Sequence, residues 1–533
     1  MSLESPPQPA TEPDEVTPWG GHKVNVWALV LKIVLLSLVC GLGLYGTLTL
    51  WAYGAPIPAL LMAAGTLIVL YIYISKKRIP AKYLAPGLAF LLVYQVFTVG
   101  YTGLMAFTNY GDGHNSTKEN AVTAILREKE TRVPDSPAYP LTVVERGAIL
   151  GFLVTDPKTG EVKLGTEGEA LRPVENPTLD DNGKAIGAPT WNTLAYADIL
   201  AKQNDIIALR VPVSDDPNQG SIGTPDGSNG YQYLSTFTYD PSTGNLTDSA
   251  TGTVYTDSGE GNFVSPDGTV IEPGWRVYVG FQNFTSLITN ESIRGPFISV
   301  LVWTFTFAIL SVLTTFALGL FLALVLNDER MRGRKLYRSL LLLPYAFPAF
   351  LSALVWAGML NQDFGFINQV ILGGADIPWL SEPIPAKFSV LLVNLWLGFP
   401  YMFLVATGAL QAIPAELTEA ARVDGASGFQ VFRMVKLPLL LVALSPLLIA
   451  SFAFNFNNFN LIYMLTGGGP RDLDADVDVG ATDILISFTY KVAFGGLGRQ
   501  YGLACAISVL IFIIVATISA ISFRRTRVLE EIN

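Results

Sequence analysis

The sequence predicts an all-α polytopic membrane protein of eight transmembrane helices, with a large α+β or β-rich domain inserted after the third. Three observations predict it. Mean hydropathy is +0.41 and only 15% of residues are charged, against roughly a quarter in soluble proteins. Eight apolar stretches approach or exceed the length needed to cross a bilayer, about 20 residues. Acidic charge is gathered in one place: Thr108 to Gly295 holds 13 Lys plus Arg and 25 Asp plus Glu, a net of −12, while the remaining 21 basic and 19 acidic residues give +2. The acidic balance, with a pI near 4.9, argues against a nucleic-acid partner.

Residues 1–23 are rich in Pro, Glu and Thr and read as a disordered tail without the basic start of a signal peptide, so the first apolar stretch is expected to remain as an anchor. Residues 24–107 carry three expected spans, Val24–Trp51, Ile57–Ile74 and Leu84–Phe107. Lys32 lies near the start of the first, within reach of the interface. Residues 296–523 carry five more: Phe297–Leu326, Ser339–Leu360, Phe388–Leu410, Leu437–Leu465 and Tyr501–Phe523. A tail, 524–533, follows.

Basic residues beside the spans set the orientation. Lys76, Lys77, Arg78 and Lys82 form one cluster, and Arg330, Arg332, Arg334, Lys335 and Arg338 a second. Arg422, Arg433 and Lys436 form a third, and Arg524, Arg525 and Arg527 a fourth. With eight spans all four fall on one side. Both termini are then cytoplasmic in a bacterial inner membrane, and the insert of residues 108–295 lies outside, in the periplasm.

The insert is too long for a loop and is expected to fold by itself. Asp267-Gly268 between Asn262-Phe263-Val264 and Thr269-Val270-Ile271 predicts a hairpin, and Asp181-Asn182-Gly183 another turn. Ala121–Arg127 and Leu194–Gln203 suggest short helices, and Asp215 to Gly230 a flexible loop. Two cysteines, Cys40 and Cys505, both in apolar stretches, suggest small buried hydrophobes rather than a disulfide, a metal site or a nucleophile. His22 and His114 suit solvated surface positions. There is no phosphate-binding G-x-x-x-x-G-K-[ST] loop, so any ATP must be hydrolysed by another chain.

Two features carry functional information. Between the sixth and seventh spans, roughly residues 412–438, Glu419-Ala420-Ala421-Arg422-Val423-Asp424-Gly425-Ala426 leads to Leu437-Pro438-Leu439. Pro414 suits a first helical turn, Leu417, Ala420 and Ala421 form an apolar stripe, and Gly425 permits a turn that bulkier residues resist. A second short helix is expected from Phe429 to Val435. This helix–turn–helix suits a docking knob, or an ordinary connector. In the seventh span, Ser451, Phe454, Asn455 and Asn458 are spaced to share one helical face. Amides at that depth need partners: they either bind helices together or, with an aromatic ring, offer a face suited to a sugar. In the sixth span Leu397 and Tyr401 share a face, Gly398 allows close approach, and Pro400 can kink or loosen the helix.

The first feature resembles the EAA loop of permease subunits of binding-protein-dependent ABC importers. There the loop enters a cleft on the ATPase subunit, so the resemblance assigns Glu419 the ionic contact, Ala420 and Ala421 the same docking helix, and Gly425 the turn. From about Gly274 onward the chain looks like the maltose/maltodextrin members of that family. The matching runs are Leu343-Pro344-Tyr345-Ala346, Trp396-Leu397-Gly398, Pro400-Tyr401-Met402, Ile449 to Phe459, Gly468-Gly469-Pro470 and Ala493-Phe494. The resemblance implies a type I importer permease core and a mid-membrane sugar site at Leu397, Gly398, Tyr401, Ser451, Phe454, Asn455 and Asn458. It also implies a second permease chain as heterodimer partner, two ATPase subunits that hold ATP and Mg, a periplasmic maltose-binding protein held partly by the insert, and surrounding membrane lipids. No cofactor is expected in this chain. Alternatives are an ion-gradient-driven secondary sugar transporter, disfavoured by the near absence of acidic residues or His in the spans, an ABC permease for a different oligosaccharide, and a membrane-anchored enzyme or receptor acting through the insert.

Overall fold

The computed structural model describes residues 26–75, 77–327, 331–496 and 498–530; the expected N-terminal tail, Lys76 and Arg330 lie outside them. The chain divides into two units, Met1–Gly100 and Tyr101–Asn533. Seven helices among the described residues are long and apolar enough to cross a membrane.

In the first unit α1 (Val26–Ala52) and α2 (Pro56–Ile74) form a hairpin across Gly54, whose φ of +71° suits only glycine well. A Cβ on Gly46 would lie 3.3 Å from Met62, so these helices touch through a small residue. α3 (Ile79–Met105) follows and continues into the second unit. Cys40 lies exposed on α1 and Cys505 is half-buried, both as free thiols, which corrects the expectation of two buried residues.

The insert leaves and rejoins the helical core at one point. Thr108 bridges Tyr278, the Val279 amide donates to Phe107 O (2.8 Å), and Asn283 Nδ2 donates to Ala106 O (2.9 Å) and Thr108 O (2.8 Å). The fold between these ends is built on an antiparallel sheet. Its main path runs through strands Arg172–Pro173, Val162–Thr166, Ile149–Thr155, Tyr139–Arg146, Asn229–Ser235, Ser221–Gly223 and Val211–Pro212. Successive side chains face opposite sides of a strand, and both Val143 and Val144 are fully buried. Both faces are therefore covered, Val143 packing with Phe152 and Ile222 and Val144 with Leu153 and Val162.

A separate five-stranded meander, Phe237 to Ile271, packs on α4 (Lys118–Glu128) through Ile125, Leu126, Leu246, Phe263 and Trp275. Its last hairpin turns at Gly268 (φ +87°), and Gly183 (φ +79°) turns a second hairpin, as the Asp-Gly and Asn-Gly signals predict. The expected loop at Asp215–Gly230 is largely ordered instead: Pro217–Gln219 is a 3₁₀ turn and Ser221–Gly223 a buried strand. Its Gly, Asp and Pro residues make the turns at each end, while Ser221 and Ile222 pair across the sheet.

The second helical block is built on α5 (Glu291–Val325) and, further on, α7 (Pro383–Ala412). The expected fifth span is not one helix. It breaks into Arg334–Leu341, Leu343–Ala346 and α6 (Ala349–Met359); the second break falls at Phe347, which precedes Pro348 and is extended (ψ 141°), the backbone region favoured before a proline. α7, by contrast, runs unbroken past Pro400. α5 and α7 pack at close range through Gly319, where a Cβ would lie 2.6 Å from Phe403 N.

α8 (Ala415–Val423) and α9 (Gly428–Phe456) follow. The expected second short helix of the knob is the start of α9, joined to it by a π-type turn at Phe432–Lys436. The expected seventh span also ends early: α9 stops at Phe456, and α10 (Phe459–Leu465) restarts after a break at Asn457 and Asn458. Asn side chains compete for backbone groups. Asn457 Nδ2 donates to Ala453 O (3.2 Å), and Asn458 Oδ1 caps α10 at the Leu461 amide (3.4 Å).

α11 (Leu485–Phe494), which the sequence reading missed, sits beside α12 (Tyr501–Glu530). Before α11, Asp483 is buried and accepts from Lys491 Nζ (2.7 Å), Ser487 Oγ (2.8 Å) and the Gly480 amide (2.7 Å).

Candidate functional site: a neutral cavity between broken helices

α7 presents Leu397, Gly398 and Tyr401 on one face, three and four residues apart, which is the spacing that stacks side chains along a helix. α9 presents Leu447, Ala450, Ser451, Phe454 and Asn455, the break beyond it adds Asn458, and α10 adds Asn460 and Leu461. Thr315 of α5 and the broken segment at Pro344, Tyr345, Phe347 and Ala349 close the remaining sides. Together with Asn394 and Met402 they line a partly open cavity of about 500 Å³, within the range of small-ligand sites. All seven residues expected to meet a sugar line this one cavity.

Their surroundings differ. Phe454 is 69% exposed, its ring free on the cavity side. Tyr401, Leu397 and Ser451 are half-buried. Gly398 makes room for Thr315, since a Cβ there would lie 2.9 Å from Thr315 Cγ2. Asn455 is only 5% exposed and already paired: its Oδ1 accepts from Asn394 Nδ2 (2.9 Å), and its Nδ2 donates to Ser451 O (2.8 Å). Asn458, expected on the same helical face, instead stands beyond the helix end and donates to Asn394 Oδ1 (3.3 Å).

Asn394, Thr315, Tyr345 and Phe347 were missed by sequence reasoning. Only Asn394 left a signal, an amide between Val393 and Leu395 in a long apolar run.

No lining residue carries a charge. The cavity combines aromatic rings with amides and hydroxyls, and so offers hydrogen bonds to a neutral polyhydroxylated molecule and no counter-ion to a charged one. No group of three or more His, Cys, Asp or Glu positioned to hold a metal occurs among the described residues.

The knob is built by two successive caps. The Ala426 amide donates to Ala421 O and the Gly425 amide to Arg422 O, both at 3.0 Å, ending α8 in a Schellman turn with Gly425 at φ +84°. Ser427 and Gln430 then form a reciprocal capping box that starts α9, the Ser427 amide donating to Gln430 Oε1 at 2.7 Å. No residue of α8 is buried. Glu419 is exposed and makes no ion pair among the described residues. Val423 (87%), Phe429 (69%) and Met434 (74%) leave apolar surface uncovered around it.

Comparison with known proteins identifies the family. Residues 315–528 match the family model for the binding-protein-dependent transport system inner membrane component. Residues 89–168 match the N-terminal part of the transmembrane subunit in ABC transporters that depend on periplasmic binding proteins. The maltose/maltodextrin transport system permease protein MalF of Vibrio vulnificus is 36% identical over 96% of this chain and 97% of its own length. MalF of Vibrio cholerae is 36% identical over 98% and 99%, and that of Escherichia coli K12 36% identical over 88% and 91%. Identity of this level along nearly the whole length, together with seven membrane-length apolar helices, places this multi-pass inner-membrane chain in the MalF family of maltose/maltodextrin transport system permease proteins.

Proposed function

We propose that this chain forms half of the translocation pathway of an ATP-driven importer and carries maltose or a short maltodextrin through the cavity between α7 and α9. The uncharged, ring-and-amide lining carries the reading. Phe454 and Tyr401 offer faces for the apolar side of a pyranose, and Ser451, Asn455 and Asn458 offer hydrogen bonds to its hydroxyls. Leu397 and Gly398 shape the wall of α7. The broken fifth segment also crosses the membrane and brings the spans to eight, which leaves both termini cytoplasmic and the insert periplasmic.

The exposed knob supports coupling. Glu419 forms an ion pair with a cation of a partner ATPase subunit, Ala420 and Ala421 pack in its cleft, and Gly425 holds the turn. ATP and Mg are bound by two such partners, and this chain hydrolyses nothing. A second permease chain completes the pathway, and a periplasmic sugar-binding protein docks partly on the insert.

The test is uptake of labelled maltose into proteoliposomes that contain the assembled complex, with external binding protein and internal ATP. Asn455→Ala is expected to reduce uptake severalfold while ATP and binding protein remain essential. Uptake that follows an ion gradient without ATP would overturn the importer assignment. ATP-driven uptake that prefers another oligosaccharide would change the substrate alone.

A further inference from the structure

We propose that the helix Arg334–Leu341 lies in the membrane surface and holds an anionic phospholipid. The headgroup phosphate sits on Arg332 and Lys335, and an acyl chain runs along Leu336, Leu340 and Leu343. This rests on the segment lying at a membrane surface and not on the identity of the cargo. Eight residues reach about 12 Å, far short of a hydrocarbon core of roughly 30 Å, so this helix cannot cross by itself. It follows the end of α5 within the second basic cluster, where residues 328–338 hold five basic and two acidic side chains.

The helix has three faces. Arg334, Arg338 and Leu341, four and three residues apart, turn inward. Arg338 Nη2 donates to Leu326 O (2.9 Å) and Arg334 Nη1 to Asn327 O (3.5 Å), while Leu341 packs on the cluster of Leu326, Ala406 and Leu410. These two cations serve carbonyls at the negative end of α5. Leu336, Leu340 and Leu343, again four and three apart, form an apolar stripe and are 62%, 50% and 51% exposed. Tyr337 beside them suits the headgroup boundary. Arg332 and Lys335 remain, exposed and without an ion pair or side-chain hydrogen bond among the described residues. Lys335 stands in the first turn, at the positive end of its own helix dipole, where a cation costs stability. Helix formation therefore does not account for it, and a nearby anion relieves the cost. Unpaired cations flanking an exposed apolar stripe match a phosphate joined to an acyl chain; a soluble anion or a neutral lipid uses only half of the surface.

The test places a fluorophore at Ser339→Cys, with Cys40→Ala and Cys505→Ala, in the assembled complex in nanodiscs. Quenching is measured with brominated phosphatidylglycerol diluted in phosphatidylcholine, and with the brominated and plain lipids exchanged. The unaltered helix is expected to be quenched preferentially by phosphatidylglycerol. Arg332→Gln and Lys335→Gln should each lower that preference about fivefold, and together about 25-fold. Lys129→Gln with Lys158→Gln, the same charge loss on exposed positions of the insert, should leave it unchanged. Equal quenching by the two lipids would overturn the proposal, as would a full preference in the Arg332→Gln/Lys335→Gln variant. Loss of the preference on adding inorganic phosphate would overturn it in favour of a soluble anion. Preference that appears only once the ATPase subunits are stripped away would overturn it in favour of a protein contact. Quenching needs no transport, so any of these results leaves the importer reading to the uptake assay.

Discussion

Gly319→Ala tests the packing that holds the cavity wall. A Cβ at this position would lie 2.6 Å from Phe403 N and 2.7 Å from both Met402 C and Met402 Cβ. The obstacle is mainly α7 backbone, which cannot rotate aside as a side chain can. Ordinary contact begins near 3.4 Å, so α5 and α7 must separate by about 0.8 Å, a gap that by itself forfeits a quarter to a half of each dispersion well along the seam. Overpacking of this kind costs about 1–3 kcal/mol. Met402 lines the cavity, so the displacement reaches the proposed sugar site as well as stability.

Gly408→Ala is the control. It lies on the same helix as Met402, a methyl added there meets nothing within 4 Å, and removing a helical glycine is worth about 0.5–1 kcal/mol in the stabilising direction. Denaturant unfolding of the purified complex, with sugar uptake measured in parallel, should separate the two variants clearly. Equal unfolding midpoints for both would refute the argument that close helix approach at Gly319 is obligatory.

Two further outcomes follow from the knob and the insert. Gly425→Val puts a β-branched residue at φ +84°, a strained left-handed backbone costing on the order of 1–2 kcal/mol; the loss should appear as less sugar transported per ATP hydrolysed, while Gly428→Ala, in open space, should change little. In the insert, burial holds the Glu130 carboxyl above its ordinary value of 4.5, against the hydrogen bond from Ser221 Oγ and the charges of Arg210 and Arg127. An acid raised on folding contributes stability that is fully present below the ordinary value and is lost as pH rises through the folded value. Glu130→Gln should therefore flatten this part of the pH dependence, read as hydrogen exchange of Glu130–Arg132 and Asn229–Ser235 from about pH 4 upward.

The legible parts of the molecule are those written in local or periodic signals. Long apolar runs mark the membrane helices because each span must satisfy its backbone internally. Asp-Gly and Asp-Asn-Gly mark hairpins because glycine accepts the left-handed turn they require. Glu419 to Gly425 marks the knob because a helix stop is encoded within a few residues. The capping box at Ser427 and Gln430 was equally local, and its Ser-x-x-Gln spacing could have been read. The breaks at Phe347 and Asn457 were signalled by Pro348 and by the Asn run, yet uniform hydropathy concealed them.

By itself, then, the sequence determined the membrane class, the acidic insert, the knob and the residue types of the cavity, since hydrophobic periodicity and turn chemistry act over a few residues. Only the tertiary structure decided which groups meet. Glu130 pairs with Ser235 across more than a hundred residues, and Asn394 joins Asn455 and Asn458 from a different helix. An isolated Asn in an apolar run specifies that partners are needed. Which partners it finds, and which way each amide then points, is settled only when α7, α9 and α10 are packed together.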